Sequence, residues 1–182
     1  MIALAGYYAS ISHYVPAERL KEELNAQFRA RHFGHIHPTM SLTKIRTLKM
    51  LLIQVALECH IELASVALSF VYFEKLVIAK MVDRNNRKLV GACCLLLAVK
   101  AHDSKYLSYP NILSCLSKKL GQPKSLILKN EFPVFAGLCF DLHLKHDDYL
   151  PHLERILIDL PFSNLHEYLG EKMYQLWKRS HK

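Results

Sequence analysis

Leu89-Val90-Gly91-Ala92-Cys93-Cys94-Leu95-Leu96-Leu97-Ala98-Val99 would put no polar side chain on any face of a helix. A helix that is apolar all round is buried all round. The segment therefore predicts a central rod with other helices packed about it. It is too short for a membrane span, which needs roughly 20 apolar residues, and no membrane association is expected. Gly91 costs a helix roughly 1 kcal/mol relative to Ala, so with Ala92 and Ala98 it predicts a neighbour that approaches closely.

Working outward, the chain is a series of apolar stripes with helical period, broken by Pro, Gly, Asn and Asp. Upstream, Asp83-Arg84-Asn85-Asn86 reads as a turn, since Asp and Asn bond their own backbone. Before it, Leu63, Val66, Ala67, Phe70, Phe73 and Val77 form a stripe from about Glu62 to Ala79, with Ser65, Ser69, Glu74 and Lys75 off it. Ser41 or Thr43 caps an earlier helix running to about His60, in which Met50, Leu51, Ile53 and Leu57 widen the apolar stripe until it needs cover on more than one side. Pro16 opens a first helix through Leu20, Leu24 and Phe28, closed by Gly34 and Pro38.

Downstream, Ser108-Tyr109-Pro110 starts a helix that Gly121 ends. An apolar pattern from Ser125 to about His143 follows, with Pro133 in its middle. Proline removes the bond to the carbonyl four residues back, so a kink near Lys129 or a break at Pro133 is expected. Two more helical stretches cover Asp147 to Leu160 and Asn164 to about Arg179, separated by Pro161. No segment alternates with period two, so the fold class is all-α.

Composition agrees with a packed globular chain: 51% hydrophobic residues, six Gly and seven Pro among 182. Met1 to Val15 lacks a basic n-region and is interrupted by polar residues, so it reads as a cytosolic start and not as a signal peptide. The cysteines Cys59, Cys93, Cys94, Cys115 and Cys139 lie in apolar stretches without a C-x-x-C, as reduced, buried thiols do. A net charge of +8 admits an acidic partner or nucleic acid, yet the cations are spread along the chain. No nucleophile elbow, phosphate-binding glycine loop, H-E-x-x-H or paired-carboxylate motif is present. The reading is non-enzymatic, with no cofactor and no metal. His32, His35 and His37 are spaced across Gly34 and Pro38 as loop residues, and adjacent Cys93 and Cys94 diverge too far around a helix to share one ion.

The runs Phe70-Val71-Tyr72-Phe73-Glu74-Lys75-Leu76, Asn86-Arg87-Lys88-Leu89, Gly91-Ala92-Cys93 and Asn130-Glu131-Phe132-Pro133-Val134 closely resemble the Cables family. Tyr14-Val15-Pro16, Leu20 to Asn25 and Gln27-Phe28-Arg29 match as well, so the likeness covers roughly residues 14–157. That family consists of cyclin-box proteins named as substrates of a cyclin-dependent kinase and the Abl tyrosine kinase. The resemblance implies a five-helix cyclin-box bundle around the buried central helix, over residues 39–145. An N-terminal segment with one helix (1–38) precedes it, and a helical extension packed on the box (146–182) follows.

The resemblance also implies a function: a cyclin-like adaptor that binds a cyclin-dependent kinase, with a non-receptor tyrosine kinase of the Abl type as a further partner, in cytoplasm and nucleus. Ordinary cyclins grip the kinase through a Lys and a Glu, and alignment puts His60 and Asp103 at those positions. Lys100 and His102, beside Asp103, complete the expected kinase-binding set. The Trp that cyclins use to dock substrate motifs is Leu51 here. These departures favour an adaptor over an activating cyclin. The alternative is a basic nucleic-acid-binding module of the kind found in general transcription factors with the same fold. The chain contains no Ser-Pro or Thr-Pro, so proline-directed phosphorylation within it is not expected.

Overall fold

The computed structural model describes residues 16–102, 107–160, 166–171 and 174. Among them the chain forms seven helices, and residues 166–171 are also helical. The helices are α1 (Ala17–Arg31), α2 (Leu42–Cys59), α3 (Leu63–Ile78), α4 (Arg87–His102), α5 (Tyr109–Leu120), α6 (Lys124–Gly137) and α7 (His146–Asp159). No strand occurs among the described residues. Met1 to Val15, Asp103 and the end of the last expected helix, Trp177 included, lie outside them.

Local chemistry sets the helix ends. Pro16 precedes α1 with φ −53°, the angle its ring imposes. Ser41 caps α2 by accepting the Lys44 amide proton on its hydroxyl, which satisfies one of the first-turn donors. α2 stops where His60 turns left-handed at φ 55°. Gly121 does the same after α5, at φ 66° and without steric cost. Asp83 makes the turn before α4 by accepting the amides of Asn85 and Asn86.

α4 is the rod the sequence calls for. Val90 to Val99 are all buried, and α2, α3, α5 and α6 pack against the helix. A methyl group at Gly91 would stand 2.8 Å from Leu48 Cδ2 on α2, so the glycine is what lets these two helices meet. α7 packs on α3 and puts Leu153, Ile156 and Leu157 into the same core as Ile36 and α4. Segments from before and after the expected box thus share one core with it.

Ser65 and Ser69, off the apolar stripe of α3, are buried as well, because α3 is covered by α2, α4 and α7 and has little free surface. Three expectations need correction. Met50 and Leu57, expected under cover, are about half exposed; Met50 borders an open groove between α1 and α2 that leaves it only partly covered. α6 runs unbroken through Pro133 and ends at Gly137, short of His143; Pro133 and Lys129 are both exposed, so water can serve the carbonyl that proline leaves without a donor. Cys139 is exposed, while the other four thiols are buried, because the chain has left the helix and turned left-handed at Cys139 and Phe140.

Candidate functional site

The last turn of α4 brings the central rod to the surface. Lys100 Nζ lies 2.6 Å from Glu131 Oε1 on α6. Around this ion pair α6 and the turn after it present apolar side chains to solvent: Leu128 is 48% exposed, Phe132 68% and Phe140 57%. The rings are ordered against one another, Phe132 to Phe140 at 5.9 Å and Phe135 to Phe140 at 5.1 Å between centroids. The left-handed backbone at Cys139 and Phe140 turns the chain back so that Phe140 meets α6. Exposed apolar side chains gathered beside a charged pair in this way suit a protein interface.

His102 is tied down at the same end of α4. Its Nε2 lies 3.1 Å from the Tyr72 hydroxyl and 3.3 Å from the Leu142 carbonyl. Tyr72 donates to that carbonyl at 2.6 Å, so its oxygen accepts from His102 Nε2–H. Burial raises the Tyr72 pKa, with the charge of Asp141 adding to it, which keeps the phenol protonated and donating.

The structure thus places the expected residues unequally. Lys100 and His102 share the end of α4, each engaged with a neighbour. His60 is exposed at the C-terminus of α2, and no hydrogen bond or ion pair among the described residues joins it to either. Lys100 is paired with Glu131 of α6 and not with a residue of the expected set. Leu51 is half-buried against the core.

Sequence reading missed a second cluster. A groove of about 790 Å³ runs between α1, α2, α3 and α7, walled by Phe28, Ile45, Ile53, Phe70 and Ile156. In it Glu74 binds Lys49 Nζ at 2.5 Å and His152 Nε2 at 3.2 Å, tying α3 to α2 and α7. Lys49 also stands 4.9 Å from the Phe70 ring centroid, within cation–π range. Burial alone would raise the Glu74 pKa, but the His152 hydrogen bond and the Lys49 charge outweigh it and hold the carboxyl at about 2. The available signal was a charge set in an apolar run: Lys49 before Met50-Leu51-Leu52-Ile53, and Glu74 after Val71-Tyr72-Phe73.

The buried thiols are core groups. Cys93 and Cys94 both sit inside α4, Cys93 Sγ lies 3.4 Å from the Ile127 carbonyl, and burial pushes the Cys93 thiol up to about 12. They behave as protonated packing residues.

Against known proteins, residues 16–143 match the family model described as "Cyclin, N-terminal domain". Over 159 residues, 86% of this chain, the sequence is 35% identical to human CDK5 and ABL1 enzyme substrate 1. Over 157 residues it is 32% identical to human CDK5 and ABL1 enzyme substrate 2. The mouse form of the first is 34% identical. The matches take in 25% of the human substrate 1 protein and 32% of the human substrate 2 protein, so the chain spans a quarter to a third of these relatives. No solved structure matches the chain. The likeness to the Cables family read from Phe70 to Leu76 and Arg87 to Cys93 is borne out by these relatives.

Proposed function

The chain belongs to the family of cyclin N-terminal domains, and from that premise we propose that it is a non-catalytic adaptor that binds a cyclin-dependent kinase and regulates its phosphorylation and the cell cycle. The observation that carries this reading is the Lys100–Glu131 pair set among exposed Leu128, Phe132 and Phe140. Exposed aromatic side chains supply most of the energy of a typical interface, and a charged pair beside them fixes register. The Lys100 ammonium has three donors, so with one on Glu131 it still has protons for carbonyl oxygens of a partner. The names of the relatives pair a cyclin-dependent kinase with the Abl kinase. For this chain we assign the first as partner at the α4–α6 end and a tyrosine kinase of the Abl type as the second, in cytoplasm and nucleus.

The test is surface plasmon resonance of the whole chain against a panel of purified cyclin-dependent kinases. Binding to at least one is expected, and Lys100→Glu or Phe132→Ser should weaken it about tenfold or more, as loss of a central contact does. His60→Ala and Asp103→Ala, measured alongside, report whether those positions take part. A panel that gives no binding, or binding that both α4–α6 variants leave intact, refutes the reading.

A further inference from the structure

At the other end of α4, roughly 20 Å from Lys100 at 1.5 Å per helical residue, cations from α1, α2 and the turn before α4 converge. Lys44 donates its Nζ to the Thr39 carbonyl at 2.6 Å. The Thr39 hydroxyl accepts the Arg84 backbone N–H at 3.1 Å and lies 2.8 Å from His37 Nδ1. Arg87 turns its guanidinium to the Arg84 carbonyl. Thr39 and the backbone of Arg84 thereby hold Lys44 and Arg87 at one place. Partial burial, then the charges of Arg84, Arg87 and Arg29, lower the Lys44 pKa, so the three guanidinium groups act on the same ammonium.

None of these four cations forms an ion pair with a carboxylate among the described residues, whereas Lys49, Lys100, Lys119 and Arg155 each do. Asp83, next in sequence to Arg84, gives its carboxylate to the amides of Asn85 and Asn86 at 2.6 and 2.8 Å. Like charges gathered without a counter-ion repel, and an anion placed among them relieves that repulsion.

We propose that Arg29, Lys44, Arg84 and Arg87 form a docking site for a phosphoryl group carried on a serine or threonine of another protein. A phosphoryl group brings about −1.5 to −2 charges and three acceptor oxygens. Guanidinium groups bind it bidentately, and an ammonium adds a point charge. Lys44 and Arg87 are anchored together through Thr39 and the Arg84 backbone, which suits a single phosphoryl group better than a nucleic-acid backbone. This site is separate from the α4–α6 end, and it stands or falls independently of kinase docking there.

Fluorescence anisotropy of the whole chain with a labelled peptide, one phosphothreonine between leucines, tests it against the unphosphorylated peptide. The phosphorylated form should bind at least about tenfold tighter at roughly 0.05 M salt and less tightly at roughly 0.2 M. Lys44→Gln and Arg87→Gln should each remove most of that preference, and Lys75→Gln should not. Both variants relieve crowding of like charges and should melt no lower than the parent; Arg29→Gln, which disturbs no hydrogen bond of the cluster, substitutes for either if it fails to fold. Equal binding of the two peptides overturns the proposal, as does a preference that these variants leave intact. Displacement of the peptide by duplex DNA at equal phosphate concentration also overturns it, in favour of a general polyanion surface.

Discussion

Two helices make about half of the interior, and they are held there by different kinds of force. α4 buries Val90 to Val99 without one polar side chain, so what fixes it is volume and apolar contact, which are non-directional. α3 is buried to the same extent but takes Ser65, Ser69 and Tyr72 inside with it. Tyr72 binds the Leu142 carbonyl beyond α6, Ser69 binds the Val66 carbonyl within the helix, and Glu74 at its edge reaches α2 and α7. The difference separates two tasks. α4 supplies the packing energy, and α3 sets where its neighbours stand.

The hardest way to strain that division is to hollow the rod. Leu96 is fully buried, and Leu96→Ala should cost about 3 kcal/mol, since buried Leu→Ala changes cost about 2 to 5. Leu96→Met keeps the volume and should cost less than about 1.5 kcal/mol. Urea denaturation measures both. A Leu96→Ala loss below about 1 kcal/mol would mean that α4 is not the packing centre. The next largest effect belongs to α3: Tyr72→Phe keeps the ring but leaves the Leu142 carbonyl and His102 without the hydroxyl, at about 1 to 2 kcal/mol. Hydrogen exchange should show the loss concentrated around Leu142, whereas Leu96→Ala should loosen the whole core.

That contrast also explains what could be read beforehand. α4 was legible because every face of it is apolar, which leaves one physical option. α3 was legible as a helix but not as an interior one: periodicity left Ser65 and Ser69 off the apolar stripe without saying what covers them, and only the carbonyl of Val66 accounts for Ser69 inside. Phe132 belongs to the apolar pattern from Ser125 to about His143 and yet is exposed, because an apolar residue reads alike whether it faces its own chain or a partner. Lys100 and His102 could be singled out by their place at the end of the rod, but Glu131 and Leu142, their partners, come from a later part of the chain that only the fold brings near. The Lys49–Glu74–His152 cluster was invisible for the same reason, its members lying on three helices.

Glu74 gives the third comparison, because it measures how firmly α3 holds α2 and α7. Its carboxyl is depressed from 4.5 to about 2, so ionised Glu74 stabilises the folded chain above pH 4.5. That contribution is lost as pH falls from 4.5 towards 2, where the folded form too takes up its proton. The side chain is 39% exposed, and solvent screening reduces the contribution to about 1 kcal/mol. Glu74→Gln should therefore cost about that much at neutral pH, and near pH 2 its unfolding midpoint should meet that of the parent. A difference that stays constant across this range would mean that Glu74 acts through packing and not through charge.

The smallest effect has the opposite sign. The Ser65 hydroxyl is buried and has no hydrogen-bond partner among the described residues, in contrast to Ser69, so it carries a desolvation cost with nothing returned. Ser65→Ala removes that cost and adds helix propensity, and should leave stability unchanged or raise it by about 0.5 kcal/mol. Ser69→Ala gives up a hydrogen bond of 2.6 Å and should lower stability by about the same amount. The pair separates two meanings of a buried serine on one helix, since the two sites lie one turn apart on α3 and have nearly the same burial. If both substitutions stabilise, only Tyr72 and Glu74 give α3 its directional character, and Ser69 belongs with the apolar interior as α4 does.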